Sequence, residues 1–576
     1  MAERAPIWTP PSRPRAEPPK AATAPTVQVC ITERRRRPLA PAIFPRELTW
    51  GLALLVAVAG FCLGAYRHQL APDLHTDEVG FFLISRAIAL GQGMVSPGTN
   101  APYFWDPPLF LLIDALVMKL LGLAGKDIFT AIYTLRLINI TVGALTAGLL
   151  FVLGTRLRGP LTGLFMSALL LLDPFSLRNT RRGMLEPLVM LLLVMAILLI
   201  QRYSGGLSER AAAALGILFG LMLLAKELGF FLLAVPLVFY VLGRPPRYRQ
   251  ALARVGTSWL VALGVYSLYP LWAVATGAGG DFFSRKGSQL ARLTGQVPHP
   301  GGYHDSAHPS LASAALENLS RYGTSYFVMG LGAVVALYLL VYCRGDVGAR
   351  LLGSLAAVNV CFFTALFLKG GALGDQYFYM LLVSMAATLG YGIPVLAQWL
   401  TGAALPWAKG VAVNGARAST GGFSSVALAR QPWGFRGRLS LFAWISRAVA
   451  ALALLGVSGV FAYNVRLYDA YDAQGVDDGY QQMAAYLADH VVPGTTLAVD
   501  DTSSYTALFP RYSITLLQSL AQFEGGQPLH YVLVSSKVSS FGAVPPSLYR
   551  WVQSSGQELF AVDEDSFGHI ALYYVG

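Results

Sequence analysis

Apolar runs of bilayer length recur along this 576-residue chain, and no other feature constrains its fold as strongly. Leu48–Tyr66, Trp259–Val274, Gly330–Tyr342 and Ala448–Phe461 are each apolar enough to cross a bilayer or to supply most of a crossing. Composition agrees. The chain is 55% hydrophobic and 13% charged, where a soluble domain carries about 25% charged residues. This is the sequence of a polytopic α-helical membrane protein.

The formal net charge of +12 would suit a nucleic-acid partner if it formed a patch. Instead the basic residues gather in short loops between apolar runs, which is an orientation signal, and no nucleic acid is implied. Arg34–Arg37, close before the first span, reads as a cytoplasmic retention charge, and the first 47 residues lack a signal-peptide cleavage pattern. The cysteines (Cys30, Cys62, Cys343, Cys361) have no CxxC spacing, so neither a disulfide framework nor a cysteine-held zinc is expected.

Spans are expected to start near residues 48, 132, 161, 187, 211, 228, 255, 323, 351, 377 and 444. Pro107–Leu123 is apolar enough to compete as a twelfth, and charge decides against it. With that segment on the outer surface, five loops (154–160, 202–210, 244–254, 344–350, 400–447) face the cytoplasm. They hold sixteen Lys and Arg and only Glu209 and Asp346 as acids. The outward loops hold nine Lys and Arg; a spanning Pro107–Leu123 would invert every assignment. The expected organisation is a basic cytoplasmic tail (1–47), a transmembrane module (48–400) with interfacial helices in its first external loop, a cytoplasmic linker (401–443), a last span (444–465) and an extracytoplasmic domain (466–576). That last segment is read as a small α/β domain. Gln481–His490 is its helix, and Thr496–Asp500, Tyr531–Ser535, Leu559–Val562 and Ile570–Val575 are its strands.

This topology gathers polar residues on the outer face. Asp77 and Glu78 follow the first span, where an acidic pair is costly near hydrocarbon unless it is used; either carboxylate can take a proton from a hydroxyl. Glu186 closes the turn Arg181-Arg182-Gly-Met-Leu-Glu186, whose guanidinium groups suit a phosphate while the carboxylate can orient a sugar hydroxyl. Lys226-Glu227 interrupts the apolar run Leu221–Leu237 and so marks a turn between spans. His299, His304 and His308 lie in a Pro/Gly-rich external loop without zinc-site spacing, which reads as a mobile cover over the site; no metal ligands are assigned. The chain also lacks a P-loop and a Gly-rich nucleotide fingerprint.

His75-Thr-Asp77-Glu78 and Tyr103-Phe-Trp-Asp106-Pro-Pro-Leu109, together with the Arg181–Glu186 turn, resemble the C-type membrane glycosyltransferases. The protein O-mannosyltransferases and bacterial aminoarabinose transferases are the relatives in view, and the likeness covers roughly residues 48–400. It implies inverting transfer of a sugar from a polyprenyl-phosphate donor to a hydroxyl of a lipid, polysaccharide or protein. In that frame Asp77 is the base, with Glu78 and Glu186 beside it. Arg86, Tyr103, Asp106, Arg181, Arg182, Lys226 and Tyr377 then contact donor or substrate. A divalent cation, Mg or Mn, is compatible with the resemblance and not required by it. Asp106 departs from the family, which often has a basic residue directly before Pro-Pro; either Arg86, Arg181 and Lys226 supply the positive charge, or Asp106 has a different role towards the acceptor. The competing readings are a flippase of a lipid-linked envelope precursor, with Asp173 and Arg136 as the clearest charges near its spans, and a catalytically dead scaffold, which Asp106 would suit.

Overall fold

The computed structural model describes residues 45–69, 74–96, 101–294, 296, 319–343, 345–369, 377–400, 451, 455–466, 479–500, 502–519, 521–524, 529–536, 544–564 and 568–576. The basic tail to residue 44, the histidine-bearing loop, the linker and the first part of the span expected near residue 444 lie outside them, while 455–466 of that span is helical.

Helix α1 (Arg46–Ala65) is apolar along its length and is followed by α2 (Thr76–Ala89) and α3 (Pro108–Leu121) of the first loop. Proline at the first turn starts α3 and Gly122, at φ 65°, ends it. With 14 residues α3 is about 21 Å long, too short for a hydrocarbon core of about 30 Å. Asp127 caps α4 (Ile128–Arg158) by accepting from the Thr130 N–H at 2.9 Å, and Arg156 and Arg158 complement the dipole at the far end. Next come α5 (Pro160–Leu171) and α6 (Pro174–Thr180), bent by 70° where Asp173 and Pro174 stop one helix and start another. The sequence reading had taken this stretch as one span and a loop. Then follow α7 (Glu186–Arg202), α8 (Glu209–Ala225), a 3-10 turn (Glu227–Leu233), α9 (Ala234–Gly243), α10 (Tyr248–Ala275) and α11 (Gly279–Leu293). The helices α12 (Leu319–Tyr342), α13 (Val347–Lys369) and α14 (Phe378–Leu400) complete the bundle.

Among the described residues six helices (α1, α4, α10, α12, α13, α14) are long and apolar enough to cross a membrane, or seven with the bent α5–α6 pair. The chain is a multi-pass membrane protein. The apolar α7 and α8 are 17 residues each and put many side chains into the bundle core, while Met195 and Ile217 are 40% and 48% exposed.

Residues 479–576 form a five-stranded sheet in the order β2-β1-β3-β5-β4. Its strands are β1 (Thr496–Val499), β2 (Ser513–Leu516), β3 (Tyr531–Ser535), β4 (Gln557–Glu564) and β5 (Gly568–Tyr574). The first three run parallel, and β5 joins β3 antiparallel, with Leu533 opposite Leu572. Leu497, Ala498 and Val499 are all buried, as a central parallel strand requires. The β2 edge strand was not anticipated, because four half-buried residues give no periodic signal.

α2 is wedged between two cores. Phe81 and Ile84 enter the core of the helix bundle, while Val79 and Phe82 join a second cluster with Tyr480, Met483, Leu487, Tyr505 and Leu508 of the C-terminal domain. The helix that carries Asp77 is therefore gripped from both flanks.

Candidate active site

The start of α2 is set by its first residues. His75 Nδ1 accepts from the Asp77 N–H at 3.2 Å and the His75 N–H donates to Glu78 Oε2 at 3.4 Å, a reciprocal cap. The two neighbouring carboxylates then part company. The Asp77 side chain is 46% exposed, with Oδ2 3.9 Å from His75 Nδ1. Glu78 is 3% exposed and accepts from Arg136 at both oxygens, Nε and NH2 each at 2.8 Å, and from the Gly183 N–H at 2.8 Å. Arg136, fully buried, also donates to the His68 carbonyl at 3.1 Å. A Cβ at Gly183 would lie 3.1 Å from Glu78 Cγ, so this approach suits glycine. Glu78 thus knots the loop after α1, the start of α2, α4 and the Arg181–Glu186 turn.

That turn delivers its residues to different places. Arg181 donates to the carbonyls of Leu63, Gly64 and Tyr66 at 2.8–3.0 Å, capping the C-terminal end of α1. Arg182 is buried, and its carbonyl accepts from Asn139 Nδ2 at 2.6 Å. Arg181, expected to face a donor, instead has these contacts: the carbonyls at the end of α1 need donors, and Arg181 supplies them. Arg86 sits nine residues beyond Asp77, about 13 Å along α2, and makes no ion pair among the described residues.

Glu186, at the start of α7, is fully buried and ion-pairs through Oε1 with Lys226, whose ammonium lies 4.5 Å from the centre of the Tyr377 ring. Glu186 Oε2 has no hydrogen bond among the described residues. Tyr103 Oη donates to Asp106 Oδ2 at 2.6 Å, and Tyr269 Oη to the Asp106 carbonyl at 3.1 Å. Burial, the Asp106 charge and hydrogen bond, and the Asp77 charge push the Tyr103 phenol well above its ordinary range. The Lys226 ammonium pulls the Tyr377 phenol down, but burial and the charges of Glu186, Asp106 and Asp77 outweigh it, so the net shift is upward. Contacts join Glu186, Lys226 and Tyr377 in one group and Tyr103 and Asp106 in another, and the charges of Asp77, Asp106 and Glu186 all bear on Tyr377.

The sequence reading missed two members. Lys286 of α11 pairs with Glu227 Oε2 at 2.7 Å and donates to the Trp105 carbonyl at 3.4 Å, beside Asp106. Arg285 stacks 5.1 Å over the Trp105 ring, and Tyr266 donates to Glu227. The signal was present: Phe282, Lys286, Gln289 and Leu293 recur at helical spacing and form the inward face of α11. The in-bundle charges offered to a flippase are tied instead. Arg136 holds Glu78, and Asp173 caps α6 and accepts from Ser325 at 2.9 Å. Among the described residues no group of three or more His, Cys, Asp or Glu side chains converges as a metal site.

No family model matches the chain, and no curated protein matches it in sequence. Solved structures do match. An Archaeoglobus fulgidus oligosaccharyltransferase tethered to an acceptor peptide is similar at a TM-score of 0.50 and 12% identity, over 92% of this chain and 74% of that one. ArnT from Cupriavidus metallidurans, bound to undecaprenyl phosphate, is similar at 0.49 and 17% identity over 92% and 97% of the two chains. The arabinofuranosyltransferase AftD from Mycobacteria is similar at 0.39 and 15% identity, over 93% of this chain and 40% of that one. At such identities a likeness speaks for fold and not for substrate. The chain shares the fold of that archaeal oligosaccharyltransferase.

Proposed function

We propose that this protein transfers a sugar from a polyprenyl-phosphate donor to a hydroxyl acceptor of the cell envelope, with inversion, at the bundle end that carries Asp77, Lys226, Tyr377 and Lys286. The observation that carries the reading is the contrast within the acidic pair. Glu78 is 3% exposed and holds Arg136 and the Gly183 N–H, while the Asp77 side chain, positioned by the same knot, is 46% open to the outside of the fold.

In the proposed reaction Asp77 takes the proton of the acceptor hydroxyl as its oxygen attacks the anomeric carbon. The bond from that carbon to the phosphate oxygen breaks on the opposite face, and the phosphate leaves with the electron pair. It needs cations more than a general acid. Lys226, Lys286 and Arg285 supply them in place of the basic residue that Asp106 replaces. Glu186 orients a sugar hydroxyl through Oε2, whose hydrogen-bonding capacity is unspent. The proposed topology has eleven spans, an N-terminus in the cytoplasm and both the site and the C-terminal domain outside.

The test is transfer by purified, reconstituted protein from synthetic polyprenyl-phosphate sugars to envelope acceptors. Asp77→Asn is expected to lower the rate by about 10²–10⁴-fold with folding intact. Activity within a few-fold of wild type would remove Asp77 from the reaction.

A further inference from the structure

At the end of the bundle opposite the candidate site, three helices deliver arginines to one place. Arg46 opens α1, Arg156 lies in the last turn of α4 and Arg202 ends α7. α1 packs along α4, and α4 along α7, so these ends are neighbours, and the charges of Arg46 and Arg202 act on Arg156. All three side chains are exposed. None makes an ion pair among the described residues, Glu47 included. Aromatic rings back two of them: Arg156 lies 5.8 Å from the centre of Trp50, and Arg202 5.9 Å from Tyr203.

Three like charges held together repel one another unless an anion joins them. The chain has little to offer there. The segment 401–450, which departs from the same end of the bundle after α14, contains six Lys and Arg and no Asp or Glu. Residues 1–44, which lead into Arg46, contain eight Lys and Arg against three Glu. Among the described residues the three arginines have no paired carboxylate, and the surroundings point to a counter-charge from outside the chain. Trp50 and Tyr203 are the side chains that settle at headgroup level. Beyond Trp50, Leu54 and Leu55 are each 64% exposed on the flank of α1, an apolar seat for an acyl chain.

We propose that Arg46, Arg156 and Arg202, with Trp50 and Tyr203, bind the phosphate of an anionic phospholipid in the leaflet opposite the candidate site. The guanidinium forks hold the phosphate oxygens, and the lipid joins the ends of α1, α4 and α7 where no side chain does so. This site is independent of the sugar-transfer reading, since none of its residues belongs to that chemistry.

The full-length protein in detergent is titrated with phosphatidylglycerol or phosphatidylcholine, and retained lipid is counted by native mass spectrometry. Wild type is expected to retain phosphatidylglycerol in preference, and Arg46→Gln/Arg156→Gln/Arg202→Gln to lose about ten-fold or more in affinity for it. Inorganic phosphate at matched concentration is expected not to displace the lipid. Equal retention of the two lipids by wild type, an unaltered preference in the triple variant, or displacement by inorganic phosphate would each overturn the proposal. Should the triple variant fail to fold, photo-cross-linking of diazirine-phosphatidylglycerol to wild type decides. Adducts on 46–55, 156–164 and 202–204 are expected, and adducts confined to other segments would overturn it.

Discussion

At the scale of single residues, adjacent carboxylates have opposite fates. Removing the charge of Glu78 takes from the buried Arg136 the carboxylate that it meets at both oxygens, and breaking such a buried pair typically costs about 3–5 kcal/mol. Glu78→Gln should therefore fall sharply in melting temperature, while Asp77→Asn melts as wild type but transfers sugar about 10²–10⁴-fold more slowly. A Glu78→Gln protein as stable as wild type and defective only in rate would move Glu78 from framework to chemistry. The cations divide in the same way. Arg181→Ala should loosen the end of α1, since its contacts are with helix carbonyls. Lys286→Ala should instead raise the apparent donor KM, with the acceptor KM unmoved. A charge-assisted contact to phosphate contributes about 1.5–3 kcal/mol, so the expected rise is roughly ten-fold or more. Donor kinetics unchanged by Lys286→Ala would place the phosphate elsewhere.

At the scale of elements, α2 is the piece on which the site depends. Its cap, its bundle-facing Phe81 and Ile84, and its domain-facing Val79 and Phe82 fix it from three directions. Phe82 is 2% exposed, and a buried Phe→Ala change typically costs 3–5 kcal/mol. Phe82→Ala is expected to lower activity although the side chain touches none of the proposed reacting groups, because the seat of Asp77 loosens. A thermal melt and a transfer assay on the same preparation check this, and full activity at unchanged stability would show that the C-terminal domain does not hold α2. The α11 helix plays the complementary part. Its inward face ties the Trp105 carbonyl and Glu227 together, while Phe283 and Leu290, 61% and 62% exposed, look away from the site.

At the scale of the whole molecule, the proposed orientation rests on the charge bias of the loops, and thiol labelling tests it. In a cysteine-free background, cysteine at exposed Ser554 of the C-terminal domain should react with an impermeant reagent in intact cells. Cysteine at Ser204, after α7, should react only after permeabilisation. The reverse pattern would turn the molecule over and put the site in the cytoplasm.

The sequence by itself determined what depends on local pattern and on solvent: the membrane class and the α/β character of the C-terminal domain. Apolar length and charge bias are properties of segments, so they are legible without a fold. Tertiary structure alone decided which of two adjacent carboxylates is spent on Arg136, 58 residues away, and that Arg181 caps α1 across 115 residues. It also brought Lys286 to the Trp105 carbonyl from 181 residues away. Such pairings follow from which helix ends meet and which buried groups still lack partners there, and no local pattern records either.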